Sequence, residues 1–203
     1  MMVAGFGVAG RTGPIQYRFA PPKHVERLLE LLMKKISPDE VRARAEQSFA
    51  SGLYCAESVV LAVAESQGVD SGLLPRAATA FCSGMSRSCG TCGALTGAIM
   101  GVGLALGRTS PDESVQPAYS ATQRLIDEFE REFGSRECRM LLSGCDLNTT
   151  EGQAMFQEQN LGQRCMKYSG KAAEIAVRAI AEGKASASCQ EAEDAKQDEG
   201  FCC

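Results

Sequence analysis

Residues 89–106 read CGTCGALTGAIMGVGLAL. Glycines 93, 97 and 101 recur every four residues, so in a helix they form one stripe along which a neighbour can approach the backbone closely. From Ala94 to Leu106 the only polar side chain is Thr96, yet the run is too short to cross a bilayer core of roughly 30 Å. The stretch therefore predicts a buried central helix over about 90–106 in an all-α, bundle-like domain without membrane insertion. The stripe reads as a packing face, and Gly90, Gly93 and Gly97 also mark where a bound group would come close to the backbone.

Working outward, Ser37-Pro38-Asp39-Glu40 carries a capping serine, proline in the first turn and the glutamate of a capping box. It predicts a helix running to about Gly68, with Gly52 bending or interrupting it. The same four residue types recur at Ser110-Pro111-Asp112-Glu113, predicting a second such helix that ends at Phe133 before Gly134. A short helix is expected over about 75–85 and a final one over about 164–182, with Ala173, Ile175, Ala176 and Ile180 on its apolar face. No strand pattern competes. Three regions follow: a weakly ordered leader with a short helix over 1–36, a helical domain over 37–183, and a flexible, cysteine-ending tail over 184–203.

The 203 residues contain ten cysteines but one histidine and no tryptophan. His24 lies in the leader, which argues against Cys-His and Ser-His-Asp catalysis and multi-histidine metal sites. No CxxCH occurs, so no haem is expected. Gly101-Val102-Gly103 has no strand before it, so no nucleotide is expected either. A net charge of −4 without a basic cluster predicts no nucleic-acid partner. The N-terminus lacks the pattern of a secretory signal, so the expected compartment is the cytoplasm, where thiols stay reduced or bind metals.

Seven cysteines fall in the predicted domain: Cys55, Cys82, Cys89, Cys92, Cys138, Cys145 and Cys165. Cys89 and Cys92 form a CxxC at the start of the glycine-striped helix, where free amides favour thiolate, and Arg87 is expected to add a positive charge. Cys138 and Cys145 stand two helical turns apart, with Gly144 between them. Neither zinc-ribbon nor ferredoxin spacing is present, so any quartet of ligands has to be assembled by tertiary packing.

The string Cys92-Gly93-Ala94-Leu95-Thr96-Gly97, with Cys55 before it and Cys138 and Cys165 after it, resembles the C_GCAxxG_C_C family of redox-active proteins over about residues 38–180. The resemblance implies Cys55, Cys92, Cys138 and Cys165 as the redox thiols. The additional Cys82, Cys89 and Cys145 make the chain similar to cysteine-richer members and to the non-haem region of split-Soret cytochromes, which implies an iron-sulfur cluster.

Three chemistries stay open at this level. Cys82, Cys89, Cys92 and Cys145 hold an iron-sulfur cluster for electron transfer, with a redox partner protein and a homodimer allowed. Alternatively, Cys92 is a low-pKa attacking thiolate resolved by Cys89 or Cys55, making a metal-free dithiol oxidoreductase. The third is binding or delivery of zinc or another soft metal, to which the terminal Cys202-Cys203 pair would add a mobile thiol shuttle.

Overall fold

A computed structural model describes residues 36–199, with side chains to residue 186. Residues 1–35 of the predicted leader, with His24, and the Cys202-Cys203 pair lie outside the described residues. Among the described residues there are eight right-handed α-helices and no strand, only an isolated bridge between Thr91 and Glu137. No helix among these residues is long and apolar enough to cross a membrane.

Helix α1, Pro38–Ala50, starts as its sequence dictates. Glu40 N–H donates to Ser37 Oγ at 3.2 Å and Ser37 N–H donates to the Glu40 carboxylate at 2.7 Å, closing the capping box. Gly52, at φ +112°, then breaks the chain outright, so the helix expected to run on to Gly68 is two helices. The second, α2, Cys55–Ser66, is restarted by the Glu57 carboxylate accepting Tyr54 N–H at 2.7 Å. Cys55, expected within a helix face, is instead the first residue of a helix. Nine of the twelve α2 residues are buried, which identifies α2 as the element surrounded by the others.

The glycine stripe explains how α2 is surrounded. Helix α4, Gly93–Leu106, lies against it. A Cβ added at Gly97 would stand 2.5 Å from the Ala56 carbonyl oxygen, and one at Gly101 would stand 2.5 Å from Val63 Cγ1. Real side chains at either position would force the two backbones apart.

Helix α3 covers only Leu73–Ala78. The right-handed helix expected to reach residue 85 stops there, gives way to a 3-10 turn at Thr79–Phe81, and is followed by a left-handed helical turn over Cys82–Arg87. Ser83, Gly84, Met85, Ser86 and Arg87 all hold φ between +55° and +68°. Each non-glycine residue there costs about 1–2 kcal/mol, so neighbouring bonds must hold the turn. Ser86 Oγ donates to Ala80 O at 2.8 Å, Gly90 N–H to Gly84 O at 3.1 Å and Cys138 N–H to Gly90 O at 2.9 Å.

Helix α5, Gln116–Phe133, buries Ala121, Leu125 and Phe129 and ends at Gly134, φ +78°. It does not begin at the second serine-proline box. Glu113 instead accepts from the N–H and Oγ1 of Thr109, each at 2.9 Å, which closes a turn. Helix α6 is the single turn Cys138–Leu141, α7 is Thr150–Glu158, and α8 is Gly162–Glu199. Helix α8 packs across α1, α2, α4 and α5. It continues well beyond the expected end at Glu182, to Glu199.

Candidate functional site

The chain places cysteines where helices begin. Cys55 opens α2, Cys92 caps α4, Cys138 opens α6 and Cys165 lies in the first turn of α8. All four line one cavity of about 800 Å³, together with Cys82 at the head of the left-handed turn. Phe49, Tyr54, Phe156 and Tyr168 supply aromatic walls, and Thr150, Gln153 and Gln157 of α7 give it polar edges. Helix α7 was not apparent in the periodicity of the sequence, although Thr149, whose Oγ1 accepts Gly152 N–H at 2.9 Å, is a recognisable cap.

Two backbone bonds fix the centre. Cys92 N–H donates to Arg136 O at 2.8 Å, and Cys138 N–H donates to Gly90 O. The CxxC loop is thereby laced to the segment before α6, bringing Cys92 and Cys138 to the same side of the cavity. Gly93 keeps the floor open, since a Cβ there would overlap Cys55 Sγ and lie 3.1 Å from Cys82 Cα.

The other two cysteines are occupied elsewhere. Cys89 Sγ donates to the Asp146 carboxylate at 3.3 Å, and Cys145 Sγ, buried in a satellite core with Leu142 and Leu161, donates to Gly152 O at 3.1 Å. Cys145 follows two left-handed residues, Ser143 and Gly144, so the helix opened by Cys138 ends before it, as Gly144 in the sequence predicts. Of the quartet Cys82, Cys89, Cys92 and Cys145, only Cys82 and Cys92 line the cavity, although Cys89 and Cys145 lie near enough to Cys138 to raise its pKa. Arg87 lines the cavity, whereas the positive charge that most favours a Cys89 thiolate is Arg139, itself 3.7 Å from Asp146.

Burial dominates the thiol electrostatics. Cys92 is only 6% exposed, and burial, then the neighbouring Cys138, push its pKa up to about 12 against the pull of the Ala94 and Leu95 amides. A helix N-terminus contributes about 0.3–2 kcal/mol, whereas holding a proton from the ordinary value near 9.0 to about 12 takes about 4 kcal/mol. The expectation of a low-pKa attacking Cys92 fails for that reason. Burial likewise raises Cys138 to about 11 and drives Cys165 well above the ordinary thiol range, with Cys92, Cys138 and Cys145 adding repulsion to the latter.

The chain matches the family described as "Putative redox-active protein (C_GCAxxG_C_C)" over residues 53–179. It belongs to the C_GCAxxG_C_C family. No curated protein and no solved structure matches it. The matched span of this C_GCAxxG_C_C protein starts two residues before Cys55 and contains all seven described cysteines, the three that depart from the four-cysteine pattern included.

Among the described residues no three Cys, His, Asp or Glu side chains already stand as a metal-ligating group. Ligation by the cavity thiols would require their side chains to turn inward from backbones that already surround one space. The donor chemistry fits a soft centre: five thiols line the cavity, with no carboxylate or imidazole among its described lining residues.

Proposed function

We propose that this C_GCAxxG_C_C protein is an electron carrier whose cavity thiols Cys55, Cys92, Cys138 and Cys165 hold an iron-sulfur cluster. The observation that carries the reading is the convergence of these cysteines, each at the start of a helix, on one cavity. Three of the helices, α2, α4 and α8, have twelve residues or more, and their leading amides direct partial positive charge toward the thiolates. Thiolates crowded in one cavity repel one another, which is why Cys92 raises Cys165 and Cys138 raises Cys92. Held by Cys55, Cys92, Cys138 and Cys165, a cationic iron centre would offset that repulsion and favour the thiolate form.

When bound, the cluster supplies a one-electron couple whose potential is set by burial and by hydrogen bonds to the thiolate sulfurs. The chain's own residues do the rest. Ala94 and Leu95 N–H groups pull the Cys92 thiol toward its thiolate, and Phe49, Phe156 and Tyr168 line the cavity beside the sulfurs. Tyr168 is held in place by donating its hydroxyl to Leu141 O at 3.0 Å. A redox partner protein would exchange electrons through the rim near exposed Tyr54, 58% accessible.

Anaerobic reconstitution with iron and sulfide tests the reading. It expects a coloured protein with visible thiolate-to-iron charge transfer and matching iron and acid-labile sulfide. A well-folded, colourless protein that takes up zinc alone would refute it.

A further inference from the structure

The cavity holds one thiol more than a four-ligand site uses, and the extra one is not isolated. Cys82 is buried, its Sγ donating to Ala78 O at 3.8 Å, and Cys55 opens α2 beside it. A Cβ added at Gly93 would overlap Cys55 Sγ and lie 3.1 Å from Cys82 Cα, so the Cys55 sulfur and the Cys82 backbone flank the same missing side chain. Both residues line the cavity, so a small disulfide entering it meets them together.

We propose that in the metal-free protein Cys55 and Cys82 form a reversible dithiol–disulfide pair, oxidised by a disulfide-bearing small molecule of the glutathione class. Cys55, 7% exposed against 3% for Cys82, is the more accessible first nucleophile. Its sulfur attacks one sulfur of the incoming disulfide, giving a mixed disulfide and releasing one thiol, which takes up the proton lost by Cys55. Cys82 then attacks the Cys55 sulfur, expelling the second thiol with the second proton. Two electrons and two protons pass from the protein to the oxidant, so two protein thiols and one disulfide become one protein disulfide and two small thiols.

Closure would tie the start of α2 to the head of the left-handed turn. That turn rests on Cys138 through Gly84, so the pair is positioned to transmit its oxidation state to the cavity. The spacing of the sequence directed attention to Cys89 and Cys92, but Cys89 points to Asp146. Cys82, outside the four-cysteine pattern, is the thiol that has Cys55 for a neighbour.

The test uses the full-length, metal-free protein under anaerobic conditions in glutathione buffers graded from reducing to oxidising, followed by acid quenching, alkylation and peptide mass mapping. The expected result is a Cys55–Cys82 cross-linked peptide as the first intramolecular disulfide among the seven domain cysteines, with loss of two alkylatable thiols and full recovery on reduction. C82S is expected to trap Cys55 as its glutathione adduct. Retention of both wild-type residues as free thiols at the oxidising end, or a first domain disulfide joining either one to Cys92, would overturn the proposal. Because no metal is present, either outcome leaves the cluster reading to its own test.

Discussion

Gly84 is seated directly on Cys138: a Cβ added to Gly84 would stand 2.5 Å from Cys138 Cβ and 3.1 Å from its sulfur. Gly84 also holds φ +64° in the middle of the left-handed turn. The same residue thus satisfies a backbone conformation and a close approach, and both place the turn against a cavity thiol. Gly84→Ala is expected to destabilise the fold by about 2–5 kcal/mol, combining left-handed strain with overpacking. Denaturant unfolding measures it, and a loss below about 0.5 kcal/mol, the scale of an ordinary surface change, would show that the turn is not held as described.

The glycine stripe yields a contrast within one helix. Gly97→Ala would drive a Cβ to 2.5 Å from the Ala56 carbonyl oxygen, whereas a Cβ at exposed Gly103 meets nothing within 4 Å. Gly97→Ala should therefore cost about 1–3 kcal/mol, and Gly103→Ala should stabilise by about 0.5–1 kcal/mol through helix propensity. Equal midpoints for the two variants would show that α2 and α4 are not in backbone contact.

The buried thiols make the metal-free protein sensitive to alkali. The folded pKa values of Cys92, about 12, and Cys138, about 11, lie above the ordinary value of 9.0. Below pH 9 both thiols are protonated whether the chain is folded or not, and their contribution is intact. Above pH 9 the unfolded chain releases protons that the folded one keeps, so stability falls by about 1.4 kcal/mol per pH unit per thiol until pH passes about 11 for Cys138 and about 12 for Cys92. Unfolding midpoints from pH 7 to 11 check this, and Cys92→Ala should flatten the decline. A flat profile in the wild type would mean that these thiols are not buried.

Much of the fold was legible in the sequence because its signals are local. The Ser37 capping box, the four-residue glycine spacing and the apolar periodicities of α5 and α8 each reflect short-range geometry. The left-handed turn was not legible, because Cys82-Ser83-Gly84-Met85-Ser86-Arg87 carries no local instruction for handedness. Its conformation depends on the distant Cys138 and on bonds to Ala80 and Gly90. The identical motifs at Ser37 and Ser110 diverged for a related reason: Glu113 found Thr109, and no buried apolar face follows it within the next turn.

The site was half legible. Family resemblance pointed to the four cysteines that line the cavity with Cys82, while local spacing added Cys89 and Cys145, whose sulfurs are bound to Asp146 and Gly152. Sequence proximity cannot tell which side of a loop a thiol faces. The signal for Cys55 was present in the Gly52 break and in Glu57, three residues after Tyr54, which together announce a new helix rather than a bent one.

The ligand assignment meets its sharpest test in iron and sulfide content after anaerobic reconstitution of single Cys→Ser variants, with circular dichroism confirming each fold. Cys92→Ser, Cys138→Ser and Cys165→Ser are expected to lose most of the bound iron and sulfide, while Cys89→Ser and Cys145→Ser keep the wild-type content. Loss of iron in Cys89→Ser and Cys145→Ser, with retention in Cys138→Ser and Cys165→Ser, would contradict the account and place the ligands outside the cavity lining.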